Sequence, residues 1–530
     1  VLGARGMKEG LRQAMAWLHT WVGLVFGWLL FAIFLTGTLS CFKDEINHWA
    51  QPEIVRHELN PIASLAVAER YLSEHAAGAS RWFIGLPDER QPTLSLYWQI
   101  PGKPGRSGFV QQRLDALSGE PVQARDSRGG EFFLRFHYEL QMGYPWGRWL
   151  ASIAAMAMLV ALVSGIITHK KIFREFFTFR PAKGQRSWLD GHNLIGVLVL
   201  PFHLMITYSS LVIFMSMTMP AGILVNYGNS MQAYYADLLP AGAPPPSLRQ
   251  AAPLLPLTQL YQQAAQRWPD TRMGAVTVSN PGDASATVLF ARDDADRVAY
   301  RPGDGIQFNG VDGRLLGDYQ SSGVASTLAA SFYGLHMGHF AGPWLRWLYF
   351  LAGLGSTAMI GTGLVMWLNK RRLKQARSSE RRLELRLVEV LNLAGMGGLV
   401  LAVASFFLAN RLLPLELAQR GDWEVRLFFL SWALAALHAG LRPVAQAWRE
   451  QLGLAALLML CAPLIGLLAT PYGLWASLRA GDRMLAGVDL GLLASACLLF
   501  WGVRKLVAHA SAKPPARAPR AAVVLDREVH

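Results

Sequence analysis

Seven of the chain's 13 histidines stand in or beside long apolar runs. His137, His336 and His339 fall near one end of such runs, His19, His169 and His192 near the other, and His203 inside one, in "LPFHLMITY". An ionisable side chain at membrane depth costs energy unless it is paired or ligated, so each is a candidate for chemistry. No acidic residue stands within the four runs concerned, which argues against a proton relay or a cation carrier, since either would want carboxylates among the imidazoles. Cys41, Cys461 and Cys497 have no partners at ligand spacing, and no C-x-x-C-H motif is present. What remains is imidazole by itself, in two layers. That is the donor set of bis-imidazole haem ligation, in which neutral ring nitrogens hold the iron and small residues on neighbouring helices admit the flat macrocycle. Gly23, Gly165, Gly196, Gly338, Gly353, Gly355, Gly361 and Gly363 supply such residues.

The spacing predicts two haem irons. His137 pairs with His336 at one, with His339 as a neighbour of the haem or its propionates and ligation by His339 as the alternative. At the other, depth along the helix favours His169 with His203, while repeat symmetry favours His19 with His192; both pairings stay open. Arg148 and Arg346 sit beside the first layer, where a guanidinium suits a propionate, or an interface anchor. The bland reading of any one histidine is a hydrogen bond to a headgroup or the backbone, and His48, His57, His75, His438, His509 and His530 are assigned to it. Trp146, Trp149, Trp344 and Trp347 read as an interfacial aromatic belt.

The elements that must position these groups are membrane helices. The chain has 530 residues, 52% hydrophobic and 16% charged, too apolar for a soluble protein of this size. Spanning needs roughly 20 apolar residues. Val22 to Phe42, Trp149 to Thr168, Leu194 to Pro220 and Trp347 to Leu368 meet that length, as do Val390 to Ala409 and Leu452 to Trp475. Leu427 to Leu441 and Leu490 to Val503 need flanking residues, giving eight in all.

Lys and Arg collect in "HKKIFREFFTFRPAKGQRSW", in "NKRRLKQARSSERRLELR", in the N-terminal arm (Arg5, Lys8, Arg12) and in the tail "RKLVAHASAKPPARAPR". All fall on one side if the number of spans is even, and the positive-inside rule makes that side the cytoplasm, with a cytoplasmic N-terminus. The net charge of +14 is thereby explained by topology and anionic lipid, without nucleic acid. No cleavable leader is expected, because the first apolar segment is too long and lacks a small-residue cleavage pattern.

The same reading divides the chain. Residues 7–42 form span one, 43–136 a periplasmic module, 137–169 span two, 170–187 a basic cytoplasmic loop and 188–220 span three. Residues 221–335 form a second periplasmic module, 336–369 span four, 370–388 a second basic loop, 389–507 spans five to eight and 508–530 a cytoplasmic tail. Each module carries a helical signal followed by alternating segments: "PIASLAVAERYLSEH" then "TLSLYWQI", and "PLTQLYQQAAQRW" then "GAVTVSN" and "ATVLFARD". The spans repeat too. His19 aligns with His192, Gly23 with Gly196 and Thr36 with Ser209; His137 aligns with His336, Arg148 with Arg346 and Trp149 with Trp347. The fold class expected is a mainly α-helical polytopic membrane protein. Its pseudo-symmetric four-helix core carries two α+β modules and about four further helices, with sites at the interface between halves.

With "LHTWVGL", the long segment from "SGIITHKK" to "YSSLVIF" and the two glycine hairpins "RLDALSGEPV" and "FNGVDGRLLG" in place, the chain resembles the PepSY-associated transmembrane family over about Met7 to Arg372. More closely, it resembles the FoxB-type inner-membrane ferric-siderophore reductases of Gram-negative bacteria. The resemblance implies PepSY-like modules, two b-type haems and reduction of ferric siderophore iron in the periplasm, with release of Fe(II). Hydroxamate-type chelators hold Fe(III) through hard oxygens, and one added electron weakens that hold. No G-x-G-x-x-G after a strand and no soluble nucleotide-binding domain are present, so the donor expected is quinol or a separate cytoplasmic reductase. Two other classes compete: a non-enzymatic sensor or peptidase-regulating protein that needs no haem, and a siderophore transporter.

Overall fold

The computed structural model describes residues 2–103, 108–169, 179–180, 183–228, 230, 233–234, 245–293, 295, 297–301, 303–375 and 383–511, with side chains from 10–468 and 470–508. Most of the first basic loop, the centre of the second and the tail from residue 512 on lie outside the described residues, as do the side chains of Arg5, Lys8, His509 and His530.

Among the described residues seven helices are long and apolar enough to cross a membrane: Gly10–Ser40, Trp146–Thr168, Pro343–Gln375, Leu383–Leu412, Arg420–Leu441, Val444–Leu468 and Arg483–Ala508. The pair Gln185–Leu198 and Leu200–Ile213, bent by 66°, completes eight as a broken third span. The chain is therefore a multi-pass membrane protein. Its third span was expected to be continuous. The break falls at Val199, just ahead of Pro201, whose ring removes a backbone donor and crowds the preceding turn. In the core, span one packs on spans two and four, the first segment of span three on span four, and the second segment on span two.

Two further boundaries differ from the expected ones. His137 belongs to a separate helix, α1 (Gly129–Glu139), and His336 to α2 (Val324–Met337), rather than to spans two and four. Each helix stops at a left-handed residue, Leu140 (φ 53°) and Gly338 (φ 64°). The chain then turns before Trp146–Thr168 or Pro343–Gln375 begins. The histidines thus approach the core from the side, on the last turn of a helix that the apolar periodicity of the span does not include.

The two modules also differ from two independent copies. Their strands form one antiparallel sheet: β1 (Arg81–Gly85), β2 (Thr93–Gln99), β3 (Phe109–Asp115), β4 (Met273–Ser279), β5 (Thr287–Arg292), β6 (Gly305–Asn309) and β7 (Leu315–Tyr319), in the order β3-β2-β1-β4-β5-β6-β7. The halves join at the centre, where Arg81 faces Ser279, Phe83 faces Thr277 and Gly85 faces Ala275. Pairing β1 with β4 removes an exposed edge from each half. One sheet face is covered by the helices Pro61–His75 and Leu257–Arg267, over a core including Leu65, Leu72, Ile84, Leu96, Leu260, Val276 and Phe290. The helices touch each other, and Glu69 accepts a hydrogen bond from the Leu257 N–H at 2.9 Å.

Spans five to eight pack beside the first half. Span five opens on Leu383–Asn392, passes through a π-helical stretch, Leu393–Gly398, and continues as Leu399–Leu412. Several polar ties of these spans to the rest are buried. Arg420 and Glu424, both 0% exposed, pair at 2.9 Å, and Glu424 also accepts from Ser127 Oγ at 2.9 Å and Arg128 N at 3.0 Å. Trp49 Nε1 donates to Asp489 at 2.7 Å, under the Arg411 guanidinium. Breaking a buried charge pair by removing one member costs about 3–5 kcal/mol; with these contacts span six is tied to Ser127 and Arg128, just ahead of α1, and span eight to Trp49, ahead of the sheet.

Candidate functional site

The core contains two pairs of facing imidazoles. On the side of the sheet, His137 and His336 have ring centroids 6.1 Å apart, with planes at 33°. Towards the opposite side, His19 and His192 stand 6.3 Å apart at 74°. Two histidine–metal bonds of about 2.0–2.1 Å each, with the ring radius added at both ends, put trans imidazole centroids about 6 Å apart. Both pairs have that separation.

Their hydrogen bonds set the tautomer. His137 Nδ1–H donates to the Ile33 carbonyl at 2.8 Å and His19 Nδ1–H to the Ala161 carbonyl at 2.8 Å. His192 Nδ1 bonds the Met359 carbonyl at 3.0 Å, and His336 Nδ1 meets Ser209 Oγ at 2.9 Å and the Ile206 carbonyl. With Nδ1 carrying the proton, the Nε2 lone pair of each ring is left to ligate, the arrangement by which a backbone acceptor orients a metal-binding histidine. The acceptors obey the repeat. The register that places His19 on His192 places Ile33 on Ile206, and the register that places Trp149 on Trp347 places Ala161 on Met359.

Close approach favours glycine in two places, Gly37 and Gly165, and a third glycine, Gly363, lies in ordinary contact with a ring. A Cβ on Gly37 would lie 2.6 Å from the His137 ring; on Gly165, 3.1 Å from His19; on Gly363, 3.4 Å from His192. Gly165 and Gly363 were legible as small residues near the site, whereas Gly37 was not singled out, and its place one turn beyond Ile33 is the signal that marks it.

Of the two pairings left open, the structure brings together His19 and His192, the one that repeat symmetry favours. His169 instead has its Nε2 accepting from Asn193 Nδ2 at 2.7 Å. His203 is 0% exposed, and no hydrogen bond reaches either ring nitrogen. The break at Val199 redirects the helix between His192 and His203, so that depth along the sequence does not carry over into three dimensions.

Around the first pair lies a cavity of about 710 Å³ that extends from the core towards the sheet, within the range of small-molecule sites. His137, His336, His339, Tyr138, Tyr300 and Tyr333 line it, together with Arg90, Arg148, Arg272 and Arg346. Tyr300 stacks on Tyr333 with centroids 4.8 Å apart and on His339 at 5.6 Å. Burial first, and then the positive charges of Lys43 and Arg90, hold the His339 imidazole below the ordinary histidine range. Arg148 donates to Glu139 at 2.8 Å and Arg346 to Glu45 at 2.5 Å, so both guanidiniums already have a carboxylate partner. Arg346 Nε is buried without one. A second pocket of about 310 Å³ lies on the uncovered sheet face over Gly85, Ser95, Gly274 and Ala275, and shares Asp88, Gln91, Arg272, Asp293 and Tyr300 with the cavity.

The other histidines have ordinary partners. His48 bonds Asp482 at 2.6 Å, His57 Asp115 at 2.7 Å and His438 Glu450 at 2.8 Å, while His75 stacks on Tyr71. Among the described residues no group of three or more His, Cys, Asp or Glu side chains could hold a metal ion. Each facing pair offers two ligands only, so a metal there would need its other ligands from a non-protein group. Trp146 and Trp344 are 71% and 88% exposed, as belt residues facing lipid would be.

Residues 16–370 match the family described as the PepSY-associated TM region. An uncharacterized protein of Pseudomonas aeruginosa, PA4219, is 30% identical over 409 residues, which cover 74% of this chain and 97% of that protein.

Proposed function

The chain belongs to the PepSY-associated transmembrane family, and within it we propose a two-haem electron carrier that reduces a ferric chelate on the sheet side of the membrane. The observation that carries the reading is the duplicated imidazole pair, with centroids 6.1 and 6.3 Å apart and every Nδ1 tied to a backbone carbonyl or hydroxyl. Two facing imidazoles, with no third protein ligand among the described residues, would suit a macrocycle that brings its own four nitrogens.

The residues divide the work. His137 and His336 would hold one b-type haem and His19 and His192 the other; each haem, when bound, supplies a one-electron carrier. The carbonyls of Ile33, Ala161 and Met359 hold the rings in orientation. Gly37 and Gly165 let the His137 and His19 rings approach. Arg346, with its unpaired Nε at the cavity, is the better candidate for a propionate; Arg148 is held by Glu139.

The substrate is Fe(III) in a siderophore, of hydroxamate type by the notion that hard oxygen donors release Fe(II) readily. It would enter the cavity beneath the sheet, take up one electron and leave as weakly held Fe(II). The donor, quinol or a separate reductase, delivers its electron from the side of His19 and His192. Basic residues such as Lys370, Arg371, Arg372 and Lys374 collect at that end. The sheet therefore faces the periplasm of a bacterial inner membrane, and the N-terminus the cytoplasm.

The test is direct. Purified protein should show a low-spin b-type spectrum, and a pyridine haemochrome assay two haems per chain. Once reduced, it should be reoxidised by a ferric hydroxamate, with Fe(II) trapped by a ferrous-specific chelator. A folded, colourless preparation that still performs its cellular role would sink the proposal.

A further inference from the structure

One buried imidazole is left over from both pairs. His203 follows the break in span three, is 0% exposed, and has both Nδ1 and Nε2 without a hydrogen-bond partner. One helical turn further along, on the same face, Thr207 is 3% exposed with Oγ1 also unpartnered, and it lines the cavity around His137 and His336. His203 thus lies about 6 Å deeper along the axis than a residue of the cavity wall.

The wall it occupies divides the two redox sites. On span two, Met158 lines the cavity while Ala161, three residues on, receives the hydrogen bond of His19. The partition is about one helical turn thick there. In the repeat, His203 takes the position of Leu30, which is 3% exposed and also lines the cavity. One half therefore places an apolar side chain in the partition and the other an imidazole.

Two unpartnered polar groups one turn apart are what a buried water bridges. We propose that His203 is a positioning residue of the redox core: with Thr207 it holds a water at the floor of the cavity, giving the site of His137 and His336 a hydrogen-bonding edge. The inference rests on the two-haem reading and adds to it an inequality between the sites. A donor beside a redox group favours its reduced, more negative form, so the site nearer the sheet acquires the higher potential. The electron then runs downhill from the pair His19 and His192 to the pair His137 and His336.

The experiment is a spectroscopic redox titration of the full-length protein with haemochrome quantitation, comparing wild type with His203→Leu, the residue of the symmetry-related position, and with His203→Asn and Thr207→Val. We expect two haems in every variant. One midpoint potential should fall in His203→Leu and Thr207→Val, and fall less in His203→Asn, while the other stays put. Loss of one haem in His203→Leu would make His203 a ligand and overturn the inference. So would two haems with both potentials unmoved, or equal shifts of both. If His203→Leu does not fold, Thr207→Val and His203→Asn decide by the same criterion. A wild-type protein without haem sinks the parent reading instead, so the two failures are told apart.

Discussion

The two imidazole pairs are built to one plan and set in different surroundings. Both use one tautomer, acceptors at equivalent places and nearly equal spacing. The pair His137 and His336 rides on the last turns of α1 and α2, in a cavity with charged and aromatic walls. The pair His19 and His192 rides on spans one and three, and the acceptors of its protons lie inside spans two and four. The two halves thus share the facing geometry of the rings and differ in what surrounds it. One pair lines a cavity that reaches towards the sheet; the other is enclosed among the spans.

The largest effects should break this comparison outright. His137→Ala or His336→Ala should lower the haem count from two to one and reduce the rate of ferric chelate reduction by at least 100-fold, because the site at the cavity is lost. His19→Ala or His192→Ala should also leave one haem, but the survivor should still be oxidised by added ferric chelate when dithionite supplies the electrons. His169→Ala should keep both haems. A reversal, with His169→Ala losing a haem and His19→Ala keeping two, would restore the pairing by depth.

An intermediate effect concerns the walls of the cavity. Tyr300 closes the stack between Tyr333 and His339 and belongs to both the cavity and the pocket on the sheet. Tyr300→Ala should raise the KM for ferric chelate several-fold while the haem count, the absorbance spectrum and reduction by dithionite stay those of wild type. Equal KM values would remove Tyr300 from the docking surface.

Much of this was legible in the sequence because membranes simplify the code. Eight spans follow from apolar length, and the pairing of His137 with His336 from the repeat. Three things were not. The junction of β1 with β4 escaped because strand pairing between distant segments leaves no local periodicity, and "RWFIG" is too short to announce a strand. The separation of α1 and α2 from the spans escaped because their apolar faces run on into the membrane segments, hiding the turns at Leu140 and Gly338. The choice between His203 and His192 turned on the bend at Val199, where the proline is visible but the direction of the bend is not. The last four spans, by contrast, were counted without their buried ties from Arg420, Glu424 and Asp489, since nothing in a sequence says which distant residue satisfies a charge.

The finest comparison lies in the glycines. Each of three glycines stands against one ligand ring, and the space for a methyl group grows from Gly37 to Gly165 to Gly363: 2.6, 3.1 and 3.4 Å. At 2.6 Å the His137 ring must move, and the cost of overpacking, typically about 1–3 kcal/mol, falls on its bond to Ile33 and on its aim at His336. Gly37→Ala should therefore weaken haem retention at that site alone, seen as faster haem loss to apomyoglobin in one of two kinetic phases. Gly165→Ala needs only a shift of a few tenths of an ångström at His19, so the other phase should quicken modestly. At Gly363 the methyl meets His192 at ordinary van der Waals contact, and haem loss should stay at the wild-type rate. If the three variants ranked in any other order, the rings would not be held where the backbone acceptors put them.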